Sequence, residues 1–398
     1  MSRCYRQLAA PAALLITLAG GSAQAAAAEV TLTAQARTLH AWFLTQASAP
    51  PSTVSVCILD RGTDLTPDTQ AIDRRWVWGE GPLGDLSADG HGTHLAQLVA
   101  APVNGWGIAG IAPQVGAVSV GIGAEPDAGW AALSSGVWAC ARIPEVRVIS
   151  ISSTPPAAST AEADQFAGQV AMARDRGISV VVAAGNQATA LSGLAAVPGV
   201  IPVAAVQADG TGLCTFSNHG LGVLAAQGCG VEATTTAGVP VRLDGTSFAA
   251  PQVAAVLAAL RAYRPDLDRD AAEHMLADSA RTGPADVRLV DASGLFSMAG
   301  LQNPVREPPT PVASLARQGA PAARLTRSGH RSVRVSVAPL AAGWRVIWRG
   351  SGVRRLTRSS LVAARFMQPR VIRIAVARPG AAPSAWRTIS IPATGALR

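Results

Sequence analysis

The stretch that decides the fold runs from residue 146 to 186: VRVISIS (146–152), then AEADQFAGQVAMARDRG (161–177), then ISVVVAAGN (178–186). Two short runs rich in Val and Ile flank a longer segment that reads as a helix, so the unit is strand, helix, strand. Because both strands are apolar throughout and do not alternate, they read as strands of a parallel sheet covered on both faces. The pattern extends outward in both directions. TVSVCILD (53–60) and AVSVGI (117–122) read as strands, HGTHLAQLVAA (91–101) and GWAALSSGVWACAR (129–142) as helices, and VIPVAAV (200–206) as a further strand before an Ala/Leu/Val-rich helix that follows Ser247. Upstream, EVTLTAQARTLHAWFLTQA (29–47) reads as one short amphipathic helix with Leu32, Leu39, Trp42 and Phe43 on a single face. The fold class is therefore α/β, a doubly wound, mostly parallel sheet with helices on both faces. In such sheets ligands bind beyond the carboxyl ends of the strands, where Asp60 and Asn186 stand.

The ends of the chain read differently. MSRCYRQ, LAAPAALLITLA and GSAQA give a charged, an apolar and a small-residue region in turn, so residues 1–25 read as a signal peptide ending at Ala23-Gln24-Ala25 and the chain as exported, periplasmic or extracellular. The apolar run is too short to span a bilayer, and nothing after it offers a longer one. Residues 26–50 form an N-terminal segment and 51–300 the main domain. Four prolines in NPVREPPTPV mark 301–320 as a linker, and RSVRVSV, GWRVIWRG, RVIRIAV and WRTISI make 321–398 a small all-β module.

Charge divides along the same boundary. All 33 basic residues are arginine, the mark of a GC-rich coding sequence rather than of recognition chemistry; residues 26–300 carry 14 of them against 24 acids, whereas residues 301–398 carry 17 against Glu307 alone. Such a module suits an anionic cell surface, although arginines between apolar residues are also what the solvent face of a half-buried sheet shows. No nucleic-acid recognition motif accompanies it. Beyond the signal, Cys57, Cys140, Cys214 and Cys229 remain, and an oxidising compartment permits two disulfides. Proximity favours Cys214 with Cys229, and Cys57 reads as a buried small hydrophobe.

The stretch LDGTSFAAPQVA (243–254) places Ser247 at a helix entrance, where a hydroxyl can cap the helix or act as a nucleophile beside amide donors. Thr246 is a second candidate cap. DGHGTHLA (89–96) supplies His91 and His94; a histidine pair can bind metal, but no further ligand pattern such as HExxH is present. With Asp60 at a strand end, the chain holds a carboxylate, a Gly-flanked histidine and a serine, the parts of a nucleophilic hydrolase.

VCILDRGTD, DGHGTHLAQLVA, VVVAAGN and GTSFAAPQVAAV, in this order, together with GIAGIAP (107–113), resemble the subtilisin-like serine peptidases over about residues 50–298. The resemblance implies the subtilisin-like version of the doubly wound fold and peptide-bond hydrolysis, with Ser247 as nucleophile, His91 as general base, Asp60 orienting the imidazole and Asn186 donating into an oxyanion hole. It also implies substrate binding along Ser152, Ser153 and Thr154 and along Ala183, Ala184 and Gly185. No cofactor is implied; the partner is a protein or peptide. Calcium binding occurs in the family, and Asp64, Asp68 and Asn104 are the candidates here, without a matched ligand set. The sequence departs from the pattern at Arg61, after the aspartate, and at Ser153-Thr154-Pro155-Pro156, where glycines are usual and where prolines lack donors for a bound chain. The stretch between Ala25 and Asp60 is also shorter than the usual folding propeptide. The text around LSGLAAVPGV (191–200) suggests a specificity pocket without fixed charge. A competing class is a subtilase-fold binding protein of faded activity, carried to anionic surfaces by its arginine-rich module.

Overall fold

The computed structural model describes residues 33–301, apart from 77–83, 88, 124–128, 154 and 156, together with the backbone of strands between 323 and 391. The expected signal peptide, Leu32, most of the linker, Thr154 and Pro156 lie outside the described residues. The chain divides into two compact units, one spanning Ala27–Ser314 and one that takes in Leu315–Arg398.

In the first unit the elements follow as α1 (Ala34–Thr38), β1 (Ser55–Asp60), β2 (Asp73–Trp76), α2 (His91–Ala100), β3 (Gly116–Gly121), α3 (Trp130–Cys140), β4 (Val146–Ile151), α4 (Thr160–Asp175), β5 (Ser179–Ala183), β6 (Val200–Val206) and β7 (Leu224–Gln227). A hairpin of β8 (Val231–Thr234) and β9 (Pro240–Leu243) precedes α5 (Thr246–Tyr263), which is followed by α6 (Arg269–Ser279), β10 (Arg281–Thr282), β11 (Arg288–Leu289) and α7 (Ala292–Met298). Nine strands form one sheet in the order β10-β11-β7-β6-β5-β4-β1-β3-β2, parallel except for the β10–β11 edge pair. Helices α2 and α5 cover one face, with Leu95, Leu98, Val253, Val256 and Leu257 in the core; α3 and α4 cover the other with Leu133, Val137, Phe166 and Val170. The mostly parallel, two-face-covered architecture read from the sequence is thus observed.

Two expectations need correction. The segment 29–47 is not one helix: His40 sits at φ 50, in the left-handed region, and separates α1 from a 3₁₀ turn at Trp42–Gln46. The segment is nonetheless tied down along its length. Ala34 N donates to Glu232 Oε2 at 2.9 Å, Gln35 exchanges two hydrogen bonds with the Glu232 backbone, Ala292 N donates to Leu39 O at 2.8 Å, and Leu39, Trp42, Phe43 and Leu44 are buried. Cys57 is not a free hydrophobe; it is disulfide-bonded to Cys140 and so joins β1 to α3, while Cys214 pairs with Cys229 as proximity suggested.

In the second unit, β12 (Ala323–Arg327), β13 (Ser332–Val337), β14 (Arg345–Arg349), β15 (Val353–Arg355), β16 (Ser360–Ala364), β17 (Arg370–Ala377) and β18 (Arg387–Ile391) form two antiparallel sheets, β12-β13-β16-β15 and β14-β17-β18.

Candidate active site

Asp60 closes β1, a strand whose six residues are all buried, and its side chain is 3% exposed. A buried carboxylate of this kind needs partners. It finds the imidazole of His91, with Nδ1 at 3.1 Å from Oδ1 and 3.0 Å from Oδ2. His91 is the first residue of α2, and its backbone N–H donates to Ser87 Oγ at 2.7 Å. Asp85 fixes this entrance by accepting from Ser87 N, Ser87 Oγ, Thr93 N and Thr93 Oγ1, a negative charge at the positive end of the helix. Gly92 permits the approach of strand end to helix, because a Cβ there would stand 2.1 Å from Gly62 O and 3.1 Å from Asp60 Oδ1.

Burial alone would push the His91 imidazolium toward deprotonation. The charge of Asp60, its hydrogen bond and the charge of Asp89 outweigh this, with Arg61 opposing weakly, so the His91 pKa lies above the ordinary value. With Nδ1–H directed at Asp60, Nε2 is the free acceptor. His94, largely buried and beside His91, is shifted the other way, chiefly by desolvation.

Helix α5 begins at Thr246 with Gly245 as N-cap at φ 151, and no side chain caps it. The capping roles considered for Ser247 and Thr246 are therefore not observed: both lie inside the first turn. The Ser247 hydroxyl donates to Ser152 O at 3.2 Å, and the Ser152 hydroxyl donates back to Ser247 O at 2.8 Å. The second bond has a sequence cause. In a regular helix the Ser247 carbonyl would accept from the N–H four residues on, which is Pro251, and proline has none. Pro251 thus sits deeper than a first-turn position and frees a carbonyl for Ser152.

Phe248, the next residue, lays its ring against His91 with centroids 5.4 Å apart, so the serine and the imidazole adjoin through it. The hydroxyl itself is turned to Ser152 rather than to His91.

Asn186 is exposed at the loop after β5. Its Oδ1 accepts from Thr246 N and from Thr246 Oγ1, both at 2.9 Å, and Thr246 Oγ1 accepts in turn from Gly185 N at 3.1 Å. Two donors on one oxygen fix which end of the carboxamide is which and leave its NH₂ directed outward. Gly245, beside it, adopts φ 151, a backbone conformation that favours glycine. Asn218, buried, accepts from Gln187 N and Thr189 N and donates to Ala184 O, which holds the loop.

A cavity of about 660 Å³ opens beside this loop, walled by Ser153, Ala183, Ala184 and Gly185 among others. Ser152 does not line it, being engaged by Ser247; Thr154 lies outside the described residues. The expectation of a pocket without fixed charge is corrected: Asp164, from α4, lines it.

The calcium candidates are occupied by protein donors. Asp68 accepts from Asn104 Nδ2 and Ile108 N, Asn104 Oδ1 accepts from Trp106 N, and Asp64 accepts from Asp85 N. Among the described residues no group of three or more His, Cys, Asp or Glu is disposed to hold a metal, and no helix is long and apolar enough to cross a membrane. Sequence reasoning missed Asp85, Asn218 and the Thr246 tie to Asn186; the Ser152 tie alone had a readable signal, a proline four residues after the serine.

Residues 52–301 match the profile of the Subtilase family. M-protease of Shouchella clausii is 31% identical over 283 residues, covering 68% of this chain and 71% of that protein, and subtilisin BL of Lederbergia lenta is 30% identical over 237 residues, covering 56% and 85%. Among solved structures, a protease from Pseudoalteromonas arctica superposes with a TM-score of 0.55 at 26% identity, covering 64% of this chain and 93% of that one.

Proposed function

The chain belongs to the subtilase family and is a serine endopeptidase, and from that premise we propose that it is an exported enzyme whose peptide hydrolysis is carried by Ser247, His91, Asp60 and Asn186. The observation that carries the residue assignment is the Asp60–His91 pair at 3.0 Å, buried at the end of the parallel sheet next to the entrance of α5.

In the reaction the Ser247 hydroxyl rotates from the Ser152 carbonyl to Nε2 of His91, which takes its proton as the oxygen attacks the substrate carbonyl. Asp60 keeps Nδ1 protonated and stabilises the imidazolium that forms. The oxyanion is met by the Asn186 NH₂ and the Ser247 backbone N–H at the positive end of α5. A neutral amide suits this place because it stabilises charge without disturbing the protonation of His91. Collapse expels the amine, to which His91 returns the proton; a water then follows the same route to release the acyl group from Ser247. The test is covalent labelling by a fluorophosphonate probe alongside peptide hydrolysis. Both are expected from the parent protein and neither from folded Ser247→Ala; a labelled or active variant overturns the assignment.

The arginine-rich module is proposed to hold the enzyme at anionic surfaces. Arg349 lies opposite Arg373 across β14 and β17, and Arg334 and Arg354 both lie opposite Val362. Seventeen arginines against Glu307 alone give residues 301–398 the positive charge that draws such surfaces. Heparin retention should fall on deleting residues 321–398, and unchanged retention overturns the proposal. The faded binding-protein reading has no observation in its favour.

A further inference from the structure

Building on the peptidase reading, we propose that Asp164 makes the enzyme selective for a cationic side chain, arginine foremost, on the residue whose carbonyl is attacked. The cavity that Asp164 lines is the place for that side chain. Gly185 and Gln187 flank Asn186 and both line it, and Ser153 lines it directly after Ser152, the partner of Ser247. A substrate carbonyl between Ser247 and Asn186 therefore sends its side chain into this space. Half of the described lining is alanine and glycine, and about 660 Å³ remains open, ample for a long side chain.

Among the described lining residues Asp164 alone carries a charge. Its carboxylate makes no hydrogen bond or ion pair with any described residue. An apolar occupant would cover that carboxylate and remove its water without replacing a hydrogen bond, a cost that falls on the complex. A guanidinium instead offers planar N–H donors matched to a carboxylate while its methylene stem lies against the alanines.

The helix carrying Asp164 does not cancel this. The positive end of α4 is already met by Glu162, which accepts from Ser159 N at 2.9 Å and Ser159 Oγ at 2.7 Å in a capping box. Asp164 is exposed in the absence of substrate, so screening limits the size of the effect.

The experiment measures kcat/KM of the purified full-length protein on a peptide panel that differs only in the residue before the scissile bond: Arg, Lys, Leu, Phe, Ala or Glu. The Arg peptide is expected to exceed Leu and Phe by about ten- to a hundredfold, the range of one screened to well-formed charge-assisted hydrogen bond. Asp164→Asn should bring the Arg-to-Leu ratio toward one, and Asp164→Lys should favour the Glu peptide over Arg. A parent enzyme that prefers Leu or Phe, or an Arg preference unchanged in Asp164→Asn, overturns the inference while leaving the peptidase reading intact. Absence of hydrolysis across the panel, with intact folding, overturns both.

Discussion

Thr246→Val isolates a tie between the serine helix and the oxyanion donor. The replacement keeps the shape of a 1% exposed side chain and removes only the hydroxyl. That hydroxyl accepts from Gly185 N and donates to Asn186 Oδ1. Asn186 keeps its second bond, from Thr246 N, but the buried Gly185 N–H loses its acceptor. Leaving a buried donor unmet costs about 1–3 kcal/mol. For a unit the size of Ala27–Ser314, each kcal/mol lowers Tm by roughly 2–4 °C, so a fall of about 4–8 °C is expected for 2 kcal/mol. Catalysis should suffer separately. Loss of an oxyanion-hole asparagine costs ~10²–10³ in kcat, and a carboxamide held by one donor instead of two should lose part of that, about tenfold in kcat with KM little changed. Melting is to be followed in a Ser247→Ala background, which prevents self-digestion, and turnover in the single variant, with Thr246→Ser as the control that restores both. A Thr246→Val enzyme with parental Tm and kcat would refute the reasoning.

The raised pKa of His91 sets the acid side of the pH profile. The base must be neutral, so kcat/KM should climb as pH rises through a pKa higher than that of an unperturbed histidine, and Asp60→Asn should move that limb downward while lowering kcat by about 10⁴. The same shift makes the contribution of His91 to stability full below its unfolded pKa and lost as pH rises through the folded one. A limb unmoved in Asp60→Asn would separate the two residues. The disulfides should rank by the loops they close: for separations of 83 and 15 residues, chain entropy gives about 4.5 kcal/mol for Cys57–Cys140 and about 3 kcal/mol for Cys214–Cys229. Urea denaturation of the paired Ala variants checks the order, and a reversed ranking contradicts it.

What the sequence makes legible here is what local chemistry marks. Short apolar runs alternating with helical segments specify a buried parallel sheet, and Asp60, His91, Asn186 and Ser247 each stand where an apolar run meets glycine-containing text. Features that depend on which distant segments touch were not legible. Cys57 gave no sign of Cys140 because β1 and α3, far apart in the chain, come together only in the folded core, and Asp164 carries no local mark of the cavity wall to which α4 brings it. Residues 29–47 misled in the opposite way, since their apolar spacing suits a helix but His40 adopts a left-handed backbone that no periodicity announces. The hairpin of β8 and β9 was missed because each strand has only four residues and mixes polar with apolar ones instead of forming a continuous apolar run.

The docking of the segment from Thr33 through Gln46 limits where the mature enzyme can start. Leu39, Trp42, Phe43 and Leu44 are as enclosed as residues of the central strands, and Glu232 and Asp291 hold the backbone and His40 on either side of them. Any scission that matures this protein is expected upstream of Thr33, because a cut just after it removes the Ala34 and Gln35 ties to Glu232, and one past Leu44 releases four large apolar side chains from the interior.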